Sequence, residues 1–396
     1  MHQERSPQGP TGTRPSAAAR ALHITEAILA PFVYPKRVED YLREVFPLLS
    51  QTEVLAEVVG VRRETKDTTT LVLRPNGLFQ GHRAGQWITL ESESGGTRRT
   101  RCFSISSAPS ALRDHASGRV HGKRTIEVTI KAVPGGAVTP ALVWQCKPGE
   151  IVTISQAQGS FTLPEELPAR PLFVSGGSGI TPVMSMLREL ALRGKARGAT
   201  FVHYARTEAD VVFAQELSEH ALFSGVEVLV WTDEEPSPHS ALTGRCDVRA
   251  DLLGAVPDFA ERETFACGPP GMLAALGSLY REQGASARLH TEAFTLTPLR
   301  SAATGSGAAS EEGSVHFARA NVTAEGPPRG RTLLAMAESA GLTPKSGCRM
   351  GICHTCTCRK TSGTTRDVRT GELSTDANQD IRLCVSEPVG NVTLDI

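Results

Sequence analysis

Cys348-Arg-Met-Gly-Ile-Cys353-His-Thr-Cys356, with Cys384 further on in Arg-Leu-Cys384-Val, is the stretch on which the chain turns. Three thiols at C-x4-C-x2-C and a distant fourth give the plant-type [2Fe–2S] spacing. The loop has to curl around two irons, and small Gly347 and Gly351 let backbone N–H groups turn towards the thiolates. Structural zinc, disulfides and buried thiols are the alternatives. Zinc favours two close pairs of ligands, and disulfides belong to secreted chains. Cys358, a fifth thiol, reads as a spare on the outgoing strand.

At 396 residues the chain is too long for one core, so several domains are expected. Lys plus Arg equals Asp plus Glu, 42 each, which argues against nucleic acid or an anionic membrane as the main partner. No apolar run approaches the roughly 20 residues that span a bilayer. The N-terminus lacks the basic-then-apolar layout of a secretory signal. Nine cysteines, several of them clustered, then point to a metal site in a reducing cytoplasm.

Outward from the cysteines, five segments are expected. Residues 1–52 hold a Pro/Gly/Ser-rich start and a helical arm carrying Leu22, Ile24, Ile28 and Leu29, then Tyr41, Leu42, Val45 and Phe46, whose apolar side chains are expected to dock on the next domain. Residues 53–165 show short alternating strands parted by turns such as Lys147-Pro-Gly-Glu, the mark of a small antiparallel β-barrel. Within it, Arg101-Cys-Phe103-Ser104 offers a fork for phosphate, an aromatic face and a hydroxyl, although such a strand is also ordinary barrel sequence. Gly135-Gly136-Ala-Val-Thr139-Pro140 predicts a helix start after a glycine loop, with Thr139 as N-cap; it suits either an anion site or a plain surface helix.

Residues 168–295 alternate strand and helix and predict a doubly wound parallel α/β sheet. Gly176-Gly177-Ser178-Gly179-Ile-Thr181-Pro182 ends its first strand, with Thr181 expected to cap the next helix and the free N–H groups facing a dinucleotide pyrophosphate. Cys267-Gly-Pro ends the fourth strand at the same edge, where a buried structural thiol is an equal reading. Residues 296–312 read as a flexible linker, and 313–396 as a small α+β unit that holds the cluster loop.

These motifs together resemble the ferredoxin–NADP reductase superfamily joined to a C-terminal plant-type [2Fe–2S] ferredoxin domain of β-grasp type. The resemblance covers nearly everything after residue 50. Arg101-Cys-Phe103-Ser104 is similar to the family's Arg-x-Tyr-Ser flavin motif, with Phe103 in place of tyrosine, and Gly136-x-x-Thr139 to its second flavin loop. Gly176-Gly177-Ser-Gly179-Ile-Thr181-Pro is similar to its nicotinamide-dinucleotide loop. Glu292-Ala-Phe294 resembles the Glu-x-Tyr with which many such reductases end.

The resemblance implies an NAD(P)H-dependent enzyme passing electrons through FAD and the cluster, held by Cys348, Cys353, Cys356 and Cys384, to a separate protein acceptor. Ser104, Cys267 and Glu292 would form the hydride-transfer site, with Phe294 as a flavin neighbour. FAD is favoured over FMN because the second phosphate loop suits a pyrophosphate. Arg206, after the second nucleotide strand, favours NADPH over NADH, against nearby Glu208 and Asp210. The layout resembles reductase components of fatty-acyl desaturases, hydroxylases and oxygenases, some of them membrane-bound acceptors' partners; the Val38–Ser50 arm is most similar to the desaturase kind. An FMN-type reductase of an aromatic-ring oxygenase and a redox-sensing regulator are the rivals. The 313–396 part carries ten Lys/Arg against eight Asp/Glu, so the domain gives no reason for strong electrostatic steering.

Overall fold

The computed structural model describes residues 42–94, 97–109, 125–136, 138–233, 242–243, 246–294, 313–326, 331–347, 349, 351, 355–368 and 371–396. Most of the N-terminal arm, the linker at 296–312, and the predicted ligands Cys348 and Cys353 lie outside the described residues. Among those described, no helix is long and apolar enough to cross a membrane.

Six strands form the first sheet: β1 (Val54–Thr65), β2 (Thr68–Pro75), β3 (Trp87–Ser94), β4 (Thr97–Ser104), β5 (Ile126–Lys131) and β6 (Ile151–Ile154), in the order β4-β3-β6-β1-β2-β5. Every pairing is antiparallel, and an Ile105–Val128 bridge joins the end of β4 to β5, so the edges meet as in a barrel. Alternation fills its interior with Val58, Leu71, Leu73, Ile88, Leu90, Val128 and Ile130. The short helix α1 (Thr139–Trp144) closes one end with Leu142 and Val143.

The second sheet has β7 (Leu172–Gly176), β8 (Thr200–Ala205), β9 (Glu227–Thr232), β10 (Leu242–Thr243), β11 (Thr264–Cys267) and β12 (Leu289–Glu292), in the order β10-β9-β8-β7-β11-β12. All its pairings are parallel, as expected for a doubly wound sheet. Two-residue β10 makes the Cys267 strand the fifth in chain order; it is too short to leave an alternation in the sequence. Separate apolar clusters cover the two faces, one around Phe173, Phe201 and Phe265 and the other around Val174, Val202 and Ala266.

Helix α2 (Ile180–Leu192) follows β7, and α3 (Ala214–Phe223), α4 (Val248–Ala255) and α5 (Pro270–Glu282) complete the layers. Nearly every residue of α2 is buried, polar Ser185 and Glu189 included, because it is covered from both sides. Ala84, Phe161 and Leu163 from the barrel end belong to its apolar cluster. The junction is stitched by Arg188 of α2, whose pairing with Glu216 has a measurable signature. Burial alone would raise the Glu216 carboxyl, but hydrogen bonds from Arg188 and His220 outweigh it and hold the group down to about 2. Its ordinary value is 4.5, so this stabilisation is complete above pH 4.5 and is lost as pH falls towards about 2. Glu216→Gln is expected to remove that part of the acid-unfolding curve, read by hydrogen exchange at α2 and α3.

The third unit contains β13 (Gly313–Phe317), β14 (Val322–Gly326), helix α6 (Leu333–Ser339), β15 (Thr357–Asp367), β16 (Leu373–Ser374), β17 (Gln379–Arg382) and β18 (Ser386–Leu394). Its sheet runs β14-β13-β18-β15-β16, with β17 on β15, and the β13–β18 pair is parallel. Thr332 caps α6 by accepting from the Ala335 N–H, and Leu333, Leu334, Met336 and Ala337 face the core. Of the arm, Val45 and Phe46 are 70% and 60% exposed, so these two do not dock as expected. The arm is tied instead by polar groups, with Asn76 Nδ2 donating to the Leu48 and Glu53 carbonyls.

Candidate flavin, nucleotide and cluster sites

β4 carries the predicted flavin motif. Ser104 is buried and its Oγ has no hydrogen-bond partner among the described residues, an expensive state that a bound polar ring edge would relieve. Phe103 pairs in register with Ile88 and is half-buried against the barrel core. Arg101 is half-buried, and among the described residues it donates to the Thr100 carbonyl at 2.8 Å. Burial and the neighbouring charges of Arg349 and Arg99 lower its pKa. Arg349 belongs to the cysteine loop, so the flavin strand and the cluster loop lie within electrostatic reach of one another. Arg99, whose Nε is buried without a partner, shares the β4 face with Arg101 and was not singled out by the motif; its spacing of two residues was the available signal.

Thr139 corrects its sequence reading. It is the first residue of α1 rather than the N-cap, and its Oγ1 accepts from the Val133 N–H at 2.9 Å. The hydroxyl thereby closes the loop through Gly135, at φ +70°, and Gly136, whose N–H donates to the Val133 carbonyl.

The glycine loop expected to bind the nucleotide is shaped by close approach. A Cβ on Gly179 would lie 2.2 Å from the Cys267 carbonyl oxygen, and one on Gly176 would lie 2.7 Å from Pro269 Cδ. Gly177, at φ +54°, turns the chain between them. Thr181 does not cap α2. Gly179 occupies the cap position, and Thr181 Oγ1 donates back to the Ser178 carbonyl at 3.1 Å. A threonine one residue before proline looks alike in sequence whether it caps or opens a helix.

Parallel register sets Glu292, Cys267, Ser175 and His203 in one row across β12, β11, β7 and β8. Burial, with the Glu292 charge beside it, pushes the Cys267 thiol well above its ordinary value. Burial also raises Glu292 to about 8, and its Oε2 has no partner among the described residues. Cys267 is therefore a neutral thiol and Glu292 a carboxylic acid at pH 7. Phe294 packs against the cluster that contains Cys267. Ser175 and His203 were missed by sequence reading: Ser175 Oγ and His203 Nδ1 are 2.8 Å apart, and burial, then the Lys131 charge, lower His203 to about 4. No hydrogen bond joins Ser104 to this row. Arg206 stands apart, exposed just beyond β8, while Asp210 is buried, bonded to Thr207 at 3.1 Å and paired with Lys66 at 3.4 Å.

In the third unit Cys356 and Cys384 are buried with their sulfurs 3.2 Å apart, too long for a disulfide at about 2.05 Å and suited to two thiolates on one metal. Gly351, at φ +71°, donates its N–H to Cys384 Sγ at 3.2 Å. Arg382 donates to the Gly351 carbonyl at 2.6 Å, and Arg349, in the left-handed region at φ +59°, pairs with Glu338. Cys358 is on β15, and burial raises its thiol to about 11, so it remains protonated. These donors, with the unpaired groups on β4 and β12, fit a cluster and a flavin.

Residues 173–277 match the family described as Oxidoreductase NAD-binding domain, and residues 315–389 the 2Fe-2S iron-sulfur cluster binding domain. An NADPH oxidoreductase of Mycobacterium tuberculosis (strain ATCC 25618 / H37Rv) is 37% identical over 380 residues, 94% of this chain and 92% of the relative. The glycine betaine monooxygenase reductase subunit of Pseudomonas aeruginosa (strain UCBPP-PA14) is 32% identical over 359 residues, 86% of this chain and 94% of the relative. Among solved structures, phthalate dioxygenase reductase superposes with TM-score 0.57 at 20% identity, over 87% of this chain and 98% of its own. The chain belongs to the ferredoxin–NADP reductase superfamily, in the branch with a C-terminal [2Fe–2S] ferredoxin domain, and is an NAD(P)H-dependent oxidoreductase.

Proposed function

We propose that this chain draws electrons from NADPH and delivers them singly to the oxygenase component of a multicomponent monooxygenase or hydroxylase. The reading is carried by the unpartnered Ser104 hydroxyl on the barrel strand together with the buried Cys356–Cys384 sulfur pair 3.2 Å apart in the third unit. Two relatives named as monooxygenase reductase subunits support an oxygenase as acceptor, and a desaturase becomes one outcome of the test. When bound, FAD takes up a hydride and the [2Fe–2S] cluster carries one electron at a time.

The protein's task is positioning. Arg101 holds a flavin phosphate, with Gly135, Gly136 and Thr139 shaping the second phosphate loop. Phe103 and Phe294 flank the ring, and Ser104 Oγ hydrogen-bonds its edge. Gly176, Gly177, Gly179 and Thr181 bring the α2 N-terminus against the nucleotide pyrophosphate. Arg206 selects the 2′-phosphate, helped by the internal commitment of Asp210, its acidic rival. Cys267 presents a neutral thiol to the nicotinamide, and Glu292 holds a proton. Cys348, Cys353, Cys356 and Cys384 ligate the cluster.

The test is anaerobic reduction of the holoprotein by NADPH and NADH, followed by transfer to cytochrome c and to candidate oxygenase and desaturase components. Faster reduction by NADPH and turnover with an oxygenase support the reading. Equal rates with both nucleotides overturn the role of Arg206, and turnover only with a desaturase overturns the acceptor. Ser104→Ala is expected to slow flavin reduction about five-fold, the worth of one hydrogen bond, with iron content unchanged. An unchanged rate in stopped flow removes Ser104 from the site.

A further inference from the structure

We propose that Arg188 sets the spacing between the nucleotide and the flavin, acting as a positioning residue two turns along α2. The proposal rests on the reading above, in which the flavin lies along Arg101–Ser104 and the nucleotide at Gly176–Thr181. It assigns a role in hydride transfer to a side chain that touches neither group.

The guanidinium is 12% exposed and uses all three of its nitrogens. Nε and Nη2 both donate to the Glu216 carboxylate, at 2.7 and 2.6 Å. Nη1 crosses the junction to the Ser106 carbonyl at 2.8 Å and Glu127 Oε2 at 3.1 Å. Its plane lies over Phe213, 4.7 Å from the ring centre. One turn earlier, Ser185 Oγ donates to the Ser107 carbonyl at 2.7 Å. Charge-assisted bonds of this kind are about twice as strong as neutral ones, and burial protects them from screening.

What Arg188 grips is the continuation of the flavin strand. Ser106 lies two residues beyond Ser104, and its other groups are fixed to the barrel. The Ser106 N–H donates to the Glu127 carbonyl at 2.8 Å, its Oγ meets Thr129 Oγ1 at 3.0 Å, and the Glu127 N–H donates to Ser107 Oγ at 3.0 Å. On the other side, α2 runs rigidly from Arg188 back to the glycine turn, about 13 Å away at 1.5 Å per residue. The route from Ser104 to Gly179 therefore contains a short strand extension, one bidentate arginine and a helix. Hydride transfer is sensitive to displacements of about 1 Å, which cost up to about a hundred-fold in rate.

The experiment compares wild-type holoprotein with Arg188→Met, which keeps the aliphatic stem, and Arg188→Lys, which keeps one charge. Flavin and iron content, limiting flavin-reduction rate, apparent NADPH affinity and hydrogen exchange at residues 105–107 are measured together. Arg188→Met is expected to retain both cofactors, loosen exchange at 105–107 and reduce the limiting rate at least ten-fold, with NADPH affinity changed by less than about three-fold. Arg188→Lys should recover part of the rate. If exchange rises while the limiting rate holds, Arg188 is a brace only and the proposal fails. Should Arg188→Met not fold, Ser185→Ala removes the neighbouring stitch alone; a rate drop of about three-fold supports the inference and an unchanged rate overturns it. Wild-type flavin that NADPH does not reduce overturns the underlying functional reading instead.

Discussion

Alanine at position 179 is expected to lower kcat/KM for NADPH by at least about a hundred-fold, near 2.7 kcal/mol of transition-state stabilisation. The new Cβ would stand 2.2 Å from the Cys267 oxygen, 2.5 Å from its carbonyl carbon and 2.8 Å from the Gly268 nitrogen. All three are backbone atoms, so no rotamer change removes the clash. The glycine turn has to withdraw from the end of β11, separating the proposed pyrophosphate loop from Cys267. The barrel is untouched, so bound flavin should remain, and loss of flavin along with nucleotide turnover would contradict this account. Gly177→Ala is the internal control: nothing lies within 4 Å of its Cβ, and only the φ of +54° resists substitution. A left-handed alanine costs roughly 1–2 kcal/mol, so its effect should be several-fold smaller.

The second expectation concerns pH. Glu292 is raised from 4.5 to about 8 by burial, so its folded form keeps the proton at neutral pH and releases it as pH rises past about 8. The linked stability runs the same way: placing a charge there is costly, so stability declines as pH climbs from 4.5 towards 8. If the proton is needed, the flavin-reduction rate should be flat from about pH 6 to 7.5 and fall about ten-fold per unit above 8. Glu292→Gln keeps a neutral, hydrogen-bonding group and should flatten that limb. A wild-type rate unchanged at pH 9.5 would remove Glu292 from the mechanism. Direct measurement of its titration would then decide whether the group is a bystander.

Much of this site was legible from local spacing, because local spacing is what its chemistry uses. Gly351 and the cysteines had to be close in sequence to wrap one loop, and Cys384 was readable only as the distant fourth. Gly176 and Gly179 announced a tight turn. The threonines misled because a hydroxyl's partner is set in space: Thr139 answers Val133, six residues back, and Thr181 turns to Ser178 rather than capping its helix. Arg188 was invisible for the same reason. Its partners Ser106 and Glu127 come from the barrel sheet and Glu216 from a helix of the next domain, and in sequence each is a common surface residue. Phe161 and Leu163 likewise read as barrel residues, yet they fill the core beside α2. Their destination depends on how two domains meet, which no periodicity encodes.

The placement of β18 has a consequence for the cluster site. This strand, Ser386–Leu394, lies between β13 and β15 in the middle of its sheet. Without it, β13 has no parallel neighbour and β15 lacks its longest partner. The paired sulfurs of Cys356 and Cys384 therefore sit beside a sheet whose central strand follows both of them in sequence. Removal of β18 is therefore expected to disconnect β13 from β15 and to abolish iron uptake, although neither cysteine of the pair lies on that strand.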